Sequence, residues 1–231
     1  MHIGGFQKMT MLDYPGRIAC ILFTHGCNLR CPFCHNATLV TEGYEPESVS
    51  EEEILSYIRK RRGVLDGVVV SGGEPLLQPD AIPFLRRLAA EGLPIKLDTN
   101  GTYPERLKAV VREGLVDYVA MDIKNAKEKY PLTVGLPTLE LAAIEESAAF
   151  LLKNHVDYEF RTTVVRELHT EEDMRSIGEW IRGAKRYYLQ GFVDSGGLIS
   201  GEDLHAHTKE TMQKYAYIVR PFVKTVGLRG V

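Results

Sequence analysis

Short apolar runs alternate with amphipathic stretches along this chain, and the alternation predicts a repeating strand, loop and helix. Residues 18–24 (Ile-Ala-Cys-Ile-Leu-Phe-Thr) are nearly all apolar, as expected for a strand covered on both faces. Ser50 followed by Glu53 forms a capping box for a helix whose buried face is Ile54, Leu55 and Ile58. Residues 67–71 make the second strand. Residues 80–91 make a helix with Ile82, Leu85, Leu88 and Ala89 on one stripe. A third strand falls at 95–99, and a third helix at 104–113 ends at Gly114. A fourth strand follows at 118–122 and a long helix at 138–153. A fifth strand covers 158–165, and Thr170 caps a helix carrying Met174, Ile177 and Ile181. A sixth strand at 187–190, a helix at 208–220 stopped by Pro221 and a short strand at 225–228 complete the pattern.

About six such units with short connections imply parallel strands and right-handed crossovers, hence an α/β fold. An open doubly wound sheet and an incomplete (β/α) barrel both satisfy the pattern. No linker, low-complexity tract or charge block divides residues 1–231, so a single domain is expected.

Composition narrows the function classes. At 44% hydrophobic and 26% charged, with formal net charge -3, the chain has no general electrostatic reason to bind nucleic acid or an anionic membrane. No apolar run approaches a membrane span, and the first eight residues lack the apolar core of a signal peptide. The expectation is a cytoplasmic protein whose four cysteines stay reduced.

Three of those cysteines stand together as Cys27-Asn-Leu-Arg-Cys31-Pro-Phe-Cys34, with no fourth thiol beside them. A structural zinc site needs four closed ligands. A cubane iron–sulfur cluster usually takes four thiolates, so three would leave one iron open to an exogenous molecule. Cys20, inside the first strand, is read as a small buried hydrophobe. In either architecture the ligand site lies at the carboxyl ends of the strands. The polar interruptions fall there in turn: the cysteine loop over 25–36, Ser71-Gly72-Gly73-Glu74-Pro75, Asp98-Thr99-Asn100-Gly101, Asp122-Ile123-Lys124, and residues 190–194.

The C-x3-C-x2-C loop with Phe33 before its last cysteine, joined to Gly72-Gly73-Glu74-Pro75, resembles the radical S-adenosylmethionine (SAM) superfamily. The resemblance implies an incomplete (β/α)6 barrel. Residues 10–36 look most like the longer type of anaerobic ribonucleoside-triphosphate reductase activating protein. Residues 97–101 and 121–124 match loops shared with pyruvate formate-lyase activating enzymes. Those activators carry a SAM-contacting histidine near the sixth strand, where this chain reads Leu189-Gln190-Gly191-Phe192.

The resemblance implies that Cys27, Cys31 and Cys34 ligate a [4Fe–4S] cluster whose fourth iron chelates SAM. Phe33, Cys34 and His35 would meet the adenine, and Gly72, Gly73 and Glu74 the methionyl end, with Glu74 accepting from its ammonium. Asp98 and Asp122, with Ile123 between the rim residues, would hold a monovalent cation or the ribose hydroxyls. Lys124, and Arg161 on the fifth strand, would pair with the SAM carboxylate. The activity implied is hydrogen abstraction from a backbone glycine of a glycyl radical enzyme, with flavodoxin or ferredoxin as electron donor. Plainer roles stand beside these: Glu74 as a helix cap, Asp98 as a turn residue, Lys124 as a surface charge, His25 and His35 as loop packing, and Trp180, Tyr187 and Tyr188 as core packing. A ferredoxin-like carrier or zinc module would need a fourth nearby thiolate and has no use for the Gly-Gly-Glu-Pro loop. A pyruvate formate-lyase-type activator and a radical SAM enzyme acting on a small molecule are the enzymatic alternatives.

Overall fold

The computed structural model describes residues 1–40, 48–194, 196–199 and 203–231. Its first strand, β1 (Ile3–Thr10), is one that the hydrophobic pattern does not announce. Gly4 and Gly5 dilute the alternation, because glycine inside a strand packs no side chain. The strand forms by lying antiparallel on β2 (Ala19–Thr24), with register shifts between Ile3 and Gly5 and between Gln7 and Thr10.

Helices and strands then alternate: α1 (Ala37–Val40), α2 (Glu51–Lys60), β3 (Gly67–Gly72), α3 (Ala81–Ala89), β4 (Ile95–Thr99), α4 (Pro104–Arg112) and β5 (Tyr118–Asp122). They continue with α5 (Tyr130–Thr133), α6 (Ala142–Leu152), β6 (Asp157–Val164), α7 (Glu171–Trp180), β7 (Tyr187–Gly191), α8 (Lys209–Val219) and β8 (Val226–Arg229). The strands follow chain order in a mainly parallel eight-stranded sheet, the α/β class expected. Two local expectations are corrected. The helix expected from Thr138 starts at Ala142, because residues after Pro137 turn first, closed by Leu139 N–H to the Leu136 carbonyl. The buried stripe of α3 is Ala81, Phe84, Leu85 and Leu88, while Ile82 is only half-buried.

The chain packs as two compact units. The first comprises Met1–Asn28, Thr38–Ala120 and His155–Asp157. Within it β2, β3 and β4 pair in parallel, with Thr24 opposite Gly72 and Val70 opposite Leu97. Val68, Val69 and Val70 are all buried, as a strand covered on both faces requires. The Ser50–Glu53 capping box forms as expected and contributes about 1 kcal/mol to α2. Parallel pairing sends the loops after β2, β3 and β4 out from the same edge.

The second unit comprises Leu29–Ala37, Met121–Asn154 and Tyr158–Val231. Here β6, β7 and β8 pair in parallel. Thr170 and Asp173 cap α7 reciprocally, and Met174, Ile177 and Ile181 are buried as expected. Arg229 of β8 reaches the fully buried Glu159 of β6 with two bonds, 2.6 and 2.8 Å, and lies over the Tyr188 ring. A buried charge is tolerable only when paired in this way. Among the described residues no helix is long and apolar enough to cross a membrane.

Candidate cluster and SAM site

In the first unit the cysteine loop starts where β2 ends. His25 N–H donates to the His2 carbonyl, and Gln78 Nε2 donates to the carbonyls of both His2 and His25. The His25 ring stacks on His2, so it packs the loop, as read from the sequence. Cys27 receives an N–H from Asn100 Nδ2 at 3.7 Å to its sulfur. Asn100 is fixed in turn by Asn28 and Thr102. The sequence offers Asn100-Gly101 as a turn within a loop shared with lyase activators, and nothing in it announces the contact to the Cys27 sulfur.

Gly72 and Gly73 are required to be glycine by a constraint that the sequence does not announce. A Cβ on Gly72, whose φ is +118, would lie 2.2 Å from Thr24 N, and one on Gly73 1.9 Å from the Gly26 carbonyl oxygen. What approaches these glycines is the backbone that leads into the cysteine loop. Glu74 is fully buried. Its Oε1 accepts from Leu76 N–H (3.0 Å) and from the Thr99 hydroxyl (2.9 Å), and its Oε2 accepts from Asn100 N–H (2.7 Å). Glu74 therefore caps the short 3₁₀ turn Pro75–Leu77 and ties the loop after β3 to the loop after β4. Asp98 accepts from Lys96 Nζ (2.5 Å) and from the Ser71 hydroxyl (2.9 Å).

In the second unit, Cys31-Pro32-Phe33-Cys34 is a tight turn closed by Cys34 N–H to the Cys31 carbonyl at 3.1 Å, with proline at its second position. Phe33 is buried, and His35 stacks on Phe192. Phe192 thus packs against the cysteine loop in the stretch where lyase activators carry a histidine. Asp122 ends β5 and accepts from Arg161 Nε (2.6 Å) and Lys124 Nζ (2.9 Å). Burial alone would raise the Asp122 pKa, but Arg161 and Lys124 hold it well below the usual carboxylate range. Burial would likewise lower Lys124, yet Asp122 and then the Cys31 thiol hold it well above the ordinary lysine value. Asp122, Lys124 and Arg161 thus form a trio in which one carboxylate bridges two cations. The trio is held from behind. Ile123 N–H donates to the Arg161 carbonyl, and Thr162 Oγ1 donates to the Ile123 carbonyl. Val165 N–H donates to Nδ1 of the buried His169, so Nε2 carries the proton and donates to the Lys124 carbonyl at 2.8 Å.

The donor set fits the iron–sulfur cluster that the motif implies. None of the four cysteines is in a disulfide. Burial pushes the Cys20 thiol up to about 12 and leaves it fully covered in β2, as a packing residue. Cys34 is also raised by burial, against which Asn36 N–H and Lys124 act. Among the described residues no three His, Cys, Asp or Glu side chains converge on a point that could hold a single metal ion. A cubane binds each thiolate through a different iron, so its ligands need not converge. Thr24 Oγ1, at the loop's entrance, is buried with no hydrogen-bond partner among the described residues, the kind of orphan a bound group satisfies.

Two predictions arise here. The Cys27 loop should be electronically sensitive to Asn100, since an N–H donor to a ligand sulfur favours the reduced cluster. Asn100→Ala should lower the midpoint potential by up to about 60 mV, the one-electron equivalent of a single hydrogen bond. Redox titration of the loaded protein checks this, and an unchanged midpoint would count against it. The second concerns Gly135, whose φ is +69 and whose added Cβ would lie 2.4 Å from the Arg30 carbonyl oxygen. The backbone there is also bonded through Arg30 N–H to the Val134 carbonyl. Gly135→Ala should cost about 1–3 kcal/mol of backbone strain and displace the cysteine loop. Thermal unfolding and iron content should both fall; wild-type values for both would contradict the buttress.

The comparisons with known proteins agree with this chemistry. The model of the radical SAM superfamily matches residues 21–181. A protein of Methanocaldococcus jannaschii assigned as a glycyl-radical enzyme activating enzyme is 35% identical over 195 residues, covering 82% of this chain and 79% of that one. The pyruvate formate-lyase-activating enzyme of Staphylococcus aureus is 33% identical over 154 residues, covering 61% of this chain and 60% of its own length. A radical SAM methyltransferase structure from Sphaerobacter thermophilus shares the fold at TM-score 0.75 and 15% identity, over 96% of this chain and 68% of that one. With its three-cysteine loop and α/β sheet, the chain belongs to the radical SAM superfamily, among the glycyl-radical enzyme activating enzymes.

Proposed function

We propose that this protein abstracts a hydrogen from a backbone glycine of the anaerobic ribonucleoside-triphosphate reductase. The observation that carries the reading is the 35% identity to an assigned activating enzyme across most of both chains. The choice of target rests on residues 10–36, which resemble reductase activators most. Cys27, Cys31 and Cys34 would hold a [4Fe–4S] cluster, and the reduced cluster with SAM supplies a hydrogen-abstracting radical.

This chain's own residues bind and orient. Lys124 and Arg161, held in place by the Asp122 carboxylate they share, are cationic groups of the kind that pairs with a SAM carboxylate. Their charges stay fixed across neutral pH, because the shifts move Asp122 and Lys124 away from it in opposite directions. The turn at Cys31–Cys34 offers backbone and Phe33 for the adenine edge. Flavodoxin or ferredoxin would deliver the electron, in the cytoplasm. The resemblance to the S. aureus enzyme favours pyruvate formate-lyase as the second target.

Electron paramagnetic resonance on anaerobic mixtures of loaded protein, reductant, SAM and each candidate partner tests the choice. A glycyl radical on the reductase that needs all four components is expected. A signal on pyruvate formate-lyase alone would reassign the target.

A further inference from the structure

The resemblance implies a monovalent cation or the ribose hydroxyls at Asp98 and Asp122, and the surroundings of each carboxylate do not fit a cation. In the first unit, strand alternation puts residues 96 and 98 on the same face of β4. Lys96 is 2% exposed, and its Nζ lies 2.5 Å from Asp98 Oδ1. The other oxygen, Oδ2, accepts from Ser71 Oγ at 2.9 Å. Each carboxylate oxygen thus already accepts from a group of the chain, and the negative charge is neutralised by a tethered ammonium. In the second unit the two oxygens of Asp122 likewise accept from cations of the chain, Arg161 and Lys124. A Na⁺ or K⁺ needs several oxygen ligands, and an ammonium or guanidinium already on the carboxylate repels it. Each of these carboxylates has already been given a cation by the chain itself.

We propose that Lys96 is a built-in counter-ion that takes the place of a dissociable monovalent cation at Asp98, so that SAM binding by this protein is independent of Na⁺ and K⁺. The inference rests on the SAM-binding reading above and goes beyond it. A covalently held ammonium needs no capture from solution, so the rim carboxylate is set before SAM arrives. Lys96 is a positioning residue here: it fixes Asp98 and does not itself meet the reacting atoms.

The test is SAM affinity of the cluster-loaded full chain, measured by equilibrium dialysis with labelled SAM at constant ionic strength. Constant ionic strength removes general screening as a cause. With choline as the sole monovalent cation the dissociation constant should match that in Na⁺ or K⁺ to within about twofold, since a ligand with no site exerts no coupling. Tightening by about tenfold or more in Na⁺ or K⁺ would reveal a coupled cation site and overturn the inference. The variant Lys96→Met should weaken SAM binding in choline by about tenfold or more, and Na⁺ or K⁺ should restore most of the loss. Undiminished binding by Lys96→Met in choline would also overturn it. Should that variant not fold, the wild-type arm decides alone. SAM binding in no medium would instead sink the SAM reading itself, an outcome distinct from cation dependence.

Discussion

Replacing Cys27, Cys31 or Cys34 with alanine should abolish iron loading and SAM cleavage, while Cys20→Ala should retain both. The reconstituted wild type should hold about four irons per chain, which three thiolates and SAM complete. Removing one ligand leaves two thiolates, too few to retain the cubane. Cys20 differs in kind: it is fully buried in β2 and its thiol stays protonated far above neutral pH. Iron analysis and cluster absorbance on the four variants check the assignment. Iron loss in Cys20→Ala with retention in one of the other three would show the ligand set to be wrong.

Glu74→Ala should be the most damaging change outside the cysteines, and through stability first. Its carboxylate accepts from Leu76 N–H, the Thr99 hydroxyl and Asn100 N–H in a fully buried position. Each donor stranded by truncation costs about 1–3 kcal/mol. The summed loss should be at least about 3 kcal/mol, or roughly 6–12 °C in midpoint for a chain of this size. Glu74→Gln keeps two acceptor lone pairs and should lose less. Urea unfolding of the cluster-free protein separates this from ligand binding. Unchanged stability together with weaker SAM binding would restore the ligand role expected from the motif.

Much of the site was legible because parallel strands oblige their following loops to leave from one edge. That rule nominated the loops at 72–74, 98–101 and 122–124 before any contact was known. Strand and helix positions followed from apolar runs and from caps such as Ser50 and Thr170, which form as written. What stayed hidden depends on which loop meets which. Gly72 and Gly73 read as room for a ligand, but the neighbouring backbone at Thr24 and Gly26 is what requires them. Glu74 reads as an acceptor for SAM, and nothing in the sequence announces that its carboxylate also accepts from Leu76, Thr99 and Asn100. Lys96 lay in the middle of an ordinary strand pattern, and only its placement beside Asp98 gives it meaning. His169 sits far along the chain from Lys124, whose carbonyl it holds. The strand β1 escaped because its glycines erase the alternation that pairing with β2 makes unnecessary.

The central claim is hydrogen transfer from a protein glycine, and isotope transfer tests it most directly. The partner reductase is prepared with Cα-deuterated glycine and mixed anaerobically with loaded protein, reductant and SAM. The account predicts 5′-deoxyadenosine carrying one deuterium, in step with the glycyl radical formed. Unlabelled 5′-deoxyadenosine from every glycyl radical enzyme tried, with label acquired instead from a deuterated small metabolite, would contradict it.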